Sequence, residues 1–209
     1  PDPARAEAIA LLGQWDCKWS LASTETSLAV SWAEALWAKG SESAATQGIP
    51  VQDWMKHQAT AVQKLAALDE AMARLTADFG SWRVPWGEIN RFQRNDASLV
   101  QTFDDAKPST PVAFTSARWG SLAAFGAERY PGTRRHYGTY GNSFVAAVEF
   151  GPRVRARAVT AGGASGDPAS PHFKDQAERY ARGDLRTVYF HPEELAGRVR
   201  STQVVKGGN

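Results

Sequence analysis

Ser165, Ser170, His172 and Asp175 fall close together and carry the side chains of a serine-hydrolase triad. A hydroxyl nucleophile needs a histidine base, and the base needs a carboxylate to orient it. The surrounding sequence does not support that use. Gly163-Ala164-Ser165-Gly166 has the wrong spacing for the Gly-x-Ser-x-Gly elbow that exposes a nucleophile. Ser170 precedes Pro171, and a serine there suits a turn or a helix cap. The glycines of this stretch, Gly162, Gly163 and Gly166, lack the Gly-Lys-Ser/Thr ending of a phosphate loop and the third glycine of a dinucleotide fingerprint. Asp104-Asp105 and Glu193-Glu194 are neighbours in sequence, so on a strand they face opposite ways and form no carboxylate dyad. No HExxH and no Cys/His cluster is present, and neither metal nor cofactor is expected in this chain. A proline amine at Pro1 could act as a base, but it leads into a plain helix and is set aside.

The elements that position these residues follow from periodicity. Residues 4–12 are strong helix formers ended by Gly13. A second helix is expected over 24–39, with Leu28, Trp32 and Leu36 on one face and Gly40 as its C-cap. A Ser/Thr/Gly/Pro loop is expected over 41–50. A long third helix is expected over 51–78, with Val62, Leu65, Leu68, Met72 and Leu75 as its apolar stripe and His57 at the surface near its start. At Gly80 the character changes. Short β-prone runs are expected at 99–103 and 112–114, and 126–141 reads as loop with a turn at Pro131-Gly132. Residues 143–150 are followed by Gly151-Pro152 and then by Val154, Ala156 and Ala158 alternating with Arg153, Arg155 and Arg157. That is a β-hairpin with one apolar and one cationic face. The stretch 162–172 is a turn in which Gly163 and Gly166 supply unusual backbone angles. A helix capped by Ser170 is expected over 173–182, with His172, Asp175 and Gln176 in its first turns. A short strand at 185–190, a short helix opened by His191-Pro192-Glu193-Glu194 and a loose tail at 205–209 complete the reading. The organisation is a helical segment at 1–80 and a mixed strand/helix segment at 81–209, an α+β chain in one structural unit with partner chains.

Composition narrows the class. The 209 residues carry a net charge of +2, with 43% hydrophobic and 11% aromatic residues, which excludes a disordered chain and a strong nucleic-acid binder. Residues 1–80 hold 6 Lys+Arg against 10 Asp+Glu, and the remainder is basic. The only cysteine is Cys17, so no disulfide framework is expected. No apolar run approaches the ~20 residues of a membrane span, and no secretory leader is read. The first residue is proline, so the chain is expected to be a processed product or a piece of something longer. Eight tryptophans must be buried against something, and sugar- or acyl-binding surfaces also use them.

Two stretches carry a family resemblance. Tyr137–Phe150 (YGTYGNSFVAAVEF) and Gly162–Gln176 (GGASGDPASPHFKDQ) resemble the late part of the penicillin acylase family, where a Gly-x-Ser-Gly turn precedes His-Phe/Tyr and then Asp-Gln. Trp82–Arg91 (WRVPWGEINR) resembles the branch that includes acyl-homoserine-lactone acylases, and Leu11–Asp16 resembles the start of the family's late helical region. The resemblance implies an N-terminal nucleophile hydrolase with a four-layer αββα sandwich. Its precursor cuts itself, and the new N-terminal serine of the large subunit is both nucleophile and, through its α-amine, base. This chain resembles the C-terminal part of that subunit. No catalytic residue carries over. Asn142 lies in the hairpin motif rather than the oxyanion segment and is read as ordering the turn before 143–150. Asn142, Gly163, Ser165, Gly166, Ser170, His172, Asp175 and Gln176 are therefore expected to be structural. The implied partners are the other chains of the processed precursor, one with an N-terminal serine, and a small acylated amide substrate: a homoserine lactone, a penicillin-type side chain or a lipopeptide. The implied location is the periplasm or beyond. The alternative is a non-catalytic module binding carbohydrate or peptide on a tryptophan-rich surface.

Overall fold

The computed structural model describes residues 2–205. The expectations for Pro1 and for tail residues 206–209 lie outside them. The chain forms two compact units, one ending at Gly141 and one beginning at Asn142.

The first unit opens with four helices. Helix α1 (Pro3–Gly13) is capped by Asp2, whose carboxylate accepts from the Ala4 N–H at 3.0 Å. Helix α2 runs Thr24–Gln47 and is capped by Ser23. It passes straight through the expected stop at Gly40 and ends at Gly48, which adopts φ 66°. Gly40 is there because a Cβ would lie 2.9 Å from Trp54 Cδ2 and closer still to the rest of the ring. The expected 41–50 loop is mostly helix: Ser41 and Thr46 fold their hydroxyls back onto the Trp37 and Glu42 carbonyls instead of breaking the helix. The expected long helix is two helices, α3 (Val51–His57) and α4 (Ala61–Phe79). Thr60 and Gln63 form a reciprocal capping box that starts α4 afresh. Leu68, Met72 and Leu75 pack with Leu28 and Val30 of α2, whereas Val62 is exposed. Arg5 of α1 clamps Asp69 of α4 with two bonds of 2.8 and 2.7 Å.

After Gly80 a one-turn helix, α5 (Trp86–Ile89), leads into a mixed sheet. Strands β1 (Asn90–Phe92), β2 (Thr110–Pro111), β3 (Phe125–Arg129) and β4 (His136–Gly141) lie in the order β2-β1-β4-β3. The β1–β4 pair is parallel and the other two pairs are antiparallel. The expected strand at 99–103 is absent: Leu99 and Val100 are fully solvated, and only Phe103 is buried, stacked on Tyr137 at 5.0 Å. The strand near 112–114 is displaced to β2, and the expected 126–141 loop holds β3 and β4 around the Pro131-Gly132 turn.

The second unit is a three-stranded antiparallel sheet, β5 (Phe144–Glu149), β6 (Arg155–Thr160) and β7 (Arg186–Val188), with helices α6 (Ala177–Arg182) and α7 (Pro192–Leu195). The hairpin pairs Phe144 with Thr160 through Glu149 with Arg155 without a slip. That register sets Ala146, Val148, Ala156 and Ala158 on one face and Ala147, Glu149, Arg155 and Arg157 on the other. The architecture is α+β: helices first, then sheets rich in antiparallel pairs. No helix among the described residues is long and apolar enough to cross a membrane.

Candidate functional site

The turn from Gly162 to Gln176 is held by its own backbone. The Ser165 N–H donates to the His172 carbonyl at 3.1 Å, and the Gln176 N–H donates to the Gly162 carbonyl at 2.9 Å. These two bonds bracket Gly163. A Cβ on Gly163 would sit 2.7 Å from both carbonyl atoms of Phe173 and inside contact with the His172 oxygen. Glycine is therefore required by close approach and not by backbone angle, since neither Gly163 nor Gly166 has a positive φ. Gly166 has nothing within 4 Å of its Cβ position.

The hydroxyls serve the same turn. Ser165 Oγ accepts from the Asp167 N–H at 3.1 Å, and Asp167 in turn accepts from the Ala169 N–H at 2.9 Å. Ser170 Oγ accepts from the His172 N–H at 3.2 Å. Ser170 is thus a turn residue and not the expected helix cap. Helix α6 starts only at Ala177, because the Gln176 N–H is diverted to Gly162 and the first helical bond is Tyr180 N–H to the Gln176 carbonyl. His172 and Asp175 accordingly lie before the helix. His172 Nδ1 meets Asp175 Oδ2 at 3.0 Å. The hydrogen bond from His172 holds the Asp175 carboxyl below its ordinary range.

The histidine and aspartate side chains are thus brought together, and Ser170 meets only the backbone N–H of His172. Among the described residues no serine hydroxyl is hydrogen-bonded to the His172 ring, and 67% of that side chain is exposed. The arrangement orders a turn and leaves no activated nucleophile. Below it, Phe173, Ala177, Tyr180 and Ala181 are buried, and burial pushes the Tyr180 hydroxyl up to about 12. Asn142 lies two residues before β5, with Ser143 between.

Two acids of α7 engage Arg153, which lies in the link between β5 and β6. Arg153 bridges Glu193 at 2.6 Å and Glu194 at 3.1 Å. Glu194 also accepts from the N–H groups of His191 and Phe190, and these donors, with Arg153, bring its carboxyl down to about 2.

Three polar residues in the first unit, Asn90 and Arg91 of the Trp82–Arg91 stretch and Asp105 of the Asp104-Asp105 pair, take structural roles that the sequence reading did not assign. Asn90 is buried and donates to the Val112 and Phe114 carbonyls at 2.8 Å each. Its neighbour Arg91 fans over Gly87 and Ser109. Together they tie the Trp82–Arg91 stretch to the following loop. Asp105 accepts from the Tyr137 hydroxyl at 2.8 Å and the Arg134 N–H at 2.9 Å. Burial opposes its charge, and those donors together with Arg135 outweigh it, leaving the carboxyl below its usual value. For Asn90 the available signal was an asparagine at the start of a strand; Asp105 sits in a turn between β1 and β2 and offered none. Among the described residues no group of three or more His, Cys, Asp or Glu side chains is arranged to hold a metal ion.

An α+β chain with this turn and hairpin matches the penicillin amidase family model over residues 2–197, and the protein belongs to that family. Among solved structures it is similar to a thermostable penicillin G acylase from Alcaligenes faecalis, at 14% identity and a TM-score of 0.42. That match covers 100% of this chain and 43% of the acylase chain, so the protein spans less than half the length of that relative.

Proposed function

We propose that this chain is the C-terminal part of the large subunit of an acylase, one component of a multi-chain enzyme that hydrolyses a linear amide bond. The observation that carries the reading is the family match over residues 2–197. The site geometry agrees with it. The Ser/His/Asp grouping at 165–175 is spent on turn hydrogen bonds, which supports placing the chemistry on groups outside residues 2–205. In such an enzyme an N-terminal serine attacks the amide carbonyl, its own α-amine takes the proton, and backbone and asparagine donors hold the oxyanion. The residues described here order the sheet and turn that complete the αββα sandwich. The substrate is an N-acyl homoserine lactone, a penicillin-type side-chain amide or a lipopeptide acyl chain, and the enzyme works in the periplasm or outside the cell.

The test compares the 209-residue chain with the complete gene product that contains it. Both are assayed against chromogenic phenylacetyl amides, long-chain acyl homoserine lactones and acyl peptides. The reading expects turnover by the complete product and none by the chain. Turnover by the chain alone, abolished by Ser165→Ala or Ser170→Ala, would overturn it. So would a folded complete product that hydrolyses none of these amides.

A further inference from the structure

Four of the eight tryptophans line a trough of two adjoining cavities in the first unit. Two cavities, about 420 and 280 Å³ in volume, share Trp32, Ala33 and Trp119 and so lie side by side. Both sizes are of the order of small-molecule sites, which typically hold ~300–1,000 Å³. The larger end is walled by Trp15, Trp19, Trp32 and Trp119, with Cys17 between the first two. It is built rather than accidental. Cys17 takes the left-handed backbone conformation, φ 60°, in the loop that sets Trp15 against Trp19 at 5.3 Å. Trp119 is held edge-on by Trp37 at 5.8 Å, with the Arg118 guanidinium over Trp37.

The lining chooses the ligand. Trp32 spends its indole N–H on the Lys64 carbonyl at 2.8 Å, and Trp15 spends its own on the Lys18 carbonyl at 3.2 Å. Every other residue lining this end is alanine, valine, cysteine or glycine, apart from Trp19 and Trp119. A sugar needs carboxylate or amide partners for its hydroxyls beside the aromatic face, and this end offers none. It suits a hydrocarbon chain. The smaller end adds Gln52, Lys56 and Lys64. Neither end is lined by an Asp or Glu, and among the described residues neither lysine has an ion-pair partner. The head group that complements this end is an anion.

We propose that this trough binds a soluble anionic amphiphile, with its alkyl or acyl chain among Trp15, Trp19, Trp32 and Trp119 and its carboxylate or equivalent head at Lys56 and Lys64. The inference stands on these residues and does not depend on the acylase reading.

The protein, together with any chains it assembles with, is titrated below the micellar concentration with dodecanoate and with dodecyltrimethylammonium, by calorimetry and tryptophan fluorescence. Dodecanoate should bind saturably at one site, about tenfold more tightly than the cationic analogue, a ratio that two half-screened charges can supply. Ala33→Phe, which adds a ring at a residue lining both cavities, should remove saturable binding. Lys56→Glu with Lys64→Glu, on a solvent-facing edge, should weaken dodecanoate about tenfold and reverse the head-group preference. Equal binding of both amphiphiles, or binding that neither variant changes, would overturn the proposal. So would association only with anionic vesicles, or no binding by the folded protein, as when another polypeptide fills the trough.

Discussion

Replacing Gly163 by alanine should unsettle the second unit, and the size of the effect follows from three atoms. The new methyl would lie 2.7 Å from the carbonyl carbon and oxygen of Phe173 and nearer still to the His172 oxygen, where ordinary Cβ contacts begin at 3.4 Å. All three obstacles are backbone, so no rotamer relieves them. The 172–173 peptide must retreat, and it is pinned at both ends, its carbonyl by the Ser165 N–H and its N–H by the Ser170 carbonyl. Overpacking of this kind costs about 1–3 kcal/mol, and stretching one of those bonds adds about 1 kcal/mol. A loss of about 2–4 kcal/mol is expected, which lowers Tm by roughly 5–15 °C in a protein of this size. Gly166→Ala is the matched control. It meets nothing and has no left-handed backbone, so its effect should stay within ~0.5 kcal/mol. Thermal and urea melts of both variants, followed by near-ultraviolet circular dichroism, decide the matter. Equal shifts for the two glycines, or a Gly163→Ala protein that melts with the parent, would refute the close-approach argument.

Three further outcomes are expected. Burial, with Arg74 and Arg129 nearby, lowers the His136 pKa from 6.5 to about 4. Between those values the unfolded chain takes up a proton that the folded chain does not, so stability should fall by up to about 3 kcal/mol as pH drops from 6.5 to 4 and then level off. Urea melts across that range should show the slope, and His136→Gln should flatten it; an unchanged slope would contradict the assignment. Gly40→Ala should destabilise by about 1–3 kcal/mol despite alanine's better helix propensity, because its methyl strikes the Trp54 ring; a higher Tm would show that the ring moves freely. In the second unit Phe144, Val148, Phe150 and Val188 are all more than 40% exposed, so the isolated chain should self-associate. Phe144→Lys with Val148→Lys should suppress that association in sedimentation experiments, and a monodisperse parent chain would count against it.

The hairpin was legible because its alternation of alanine and valine with arginine is a purely local signal, and the register of β5 and β6 follows from it. Elements decided by distant partners were not legible. Strands β3 and β4 carry Gly126 and Gly138, which weaken a β reading. Each glycine lies under an aromatic ring from the partner strand, Tyr140 and Phe125 respectively, where a Cβ could not fit. Gly40 looked like a helix end for the same reason: Trp54, fourteen residues on, supplies the context. The α6 boundary moved from 173 to 177 because one carbonyl, that of Gly162, captures the Gln176 N–H. The Thr60–Gln63 capping box, by contrast, was visible in the sequence as Thr-x-x-Gln and was overrun by the apolar stripe around it. In the candidate site, composition revealed which residues gather in the turn. It did not reveal that the serine hydroxyls face backbone N–H groups and leave the His172 ring to Asp175 alone.

The most direct test of the central claim, that this chain belongs to an amide hydrolase whose nucleophile lies elsewhere, is covalent mapping. The complete gene product is treated with a serine-directed sulfonyl fluoride under conditions that abolish amide turnover, and every polypeptide is then analysed by intact mass and peptide mapping. The account predicts one adduct, on an N-terminal serine outside residues 2–205, with Ser165 and Ser170 unmodified. An adduct on Ser165 or Ser170 that tracks the loss of turnover would contradict it.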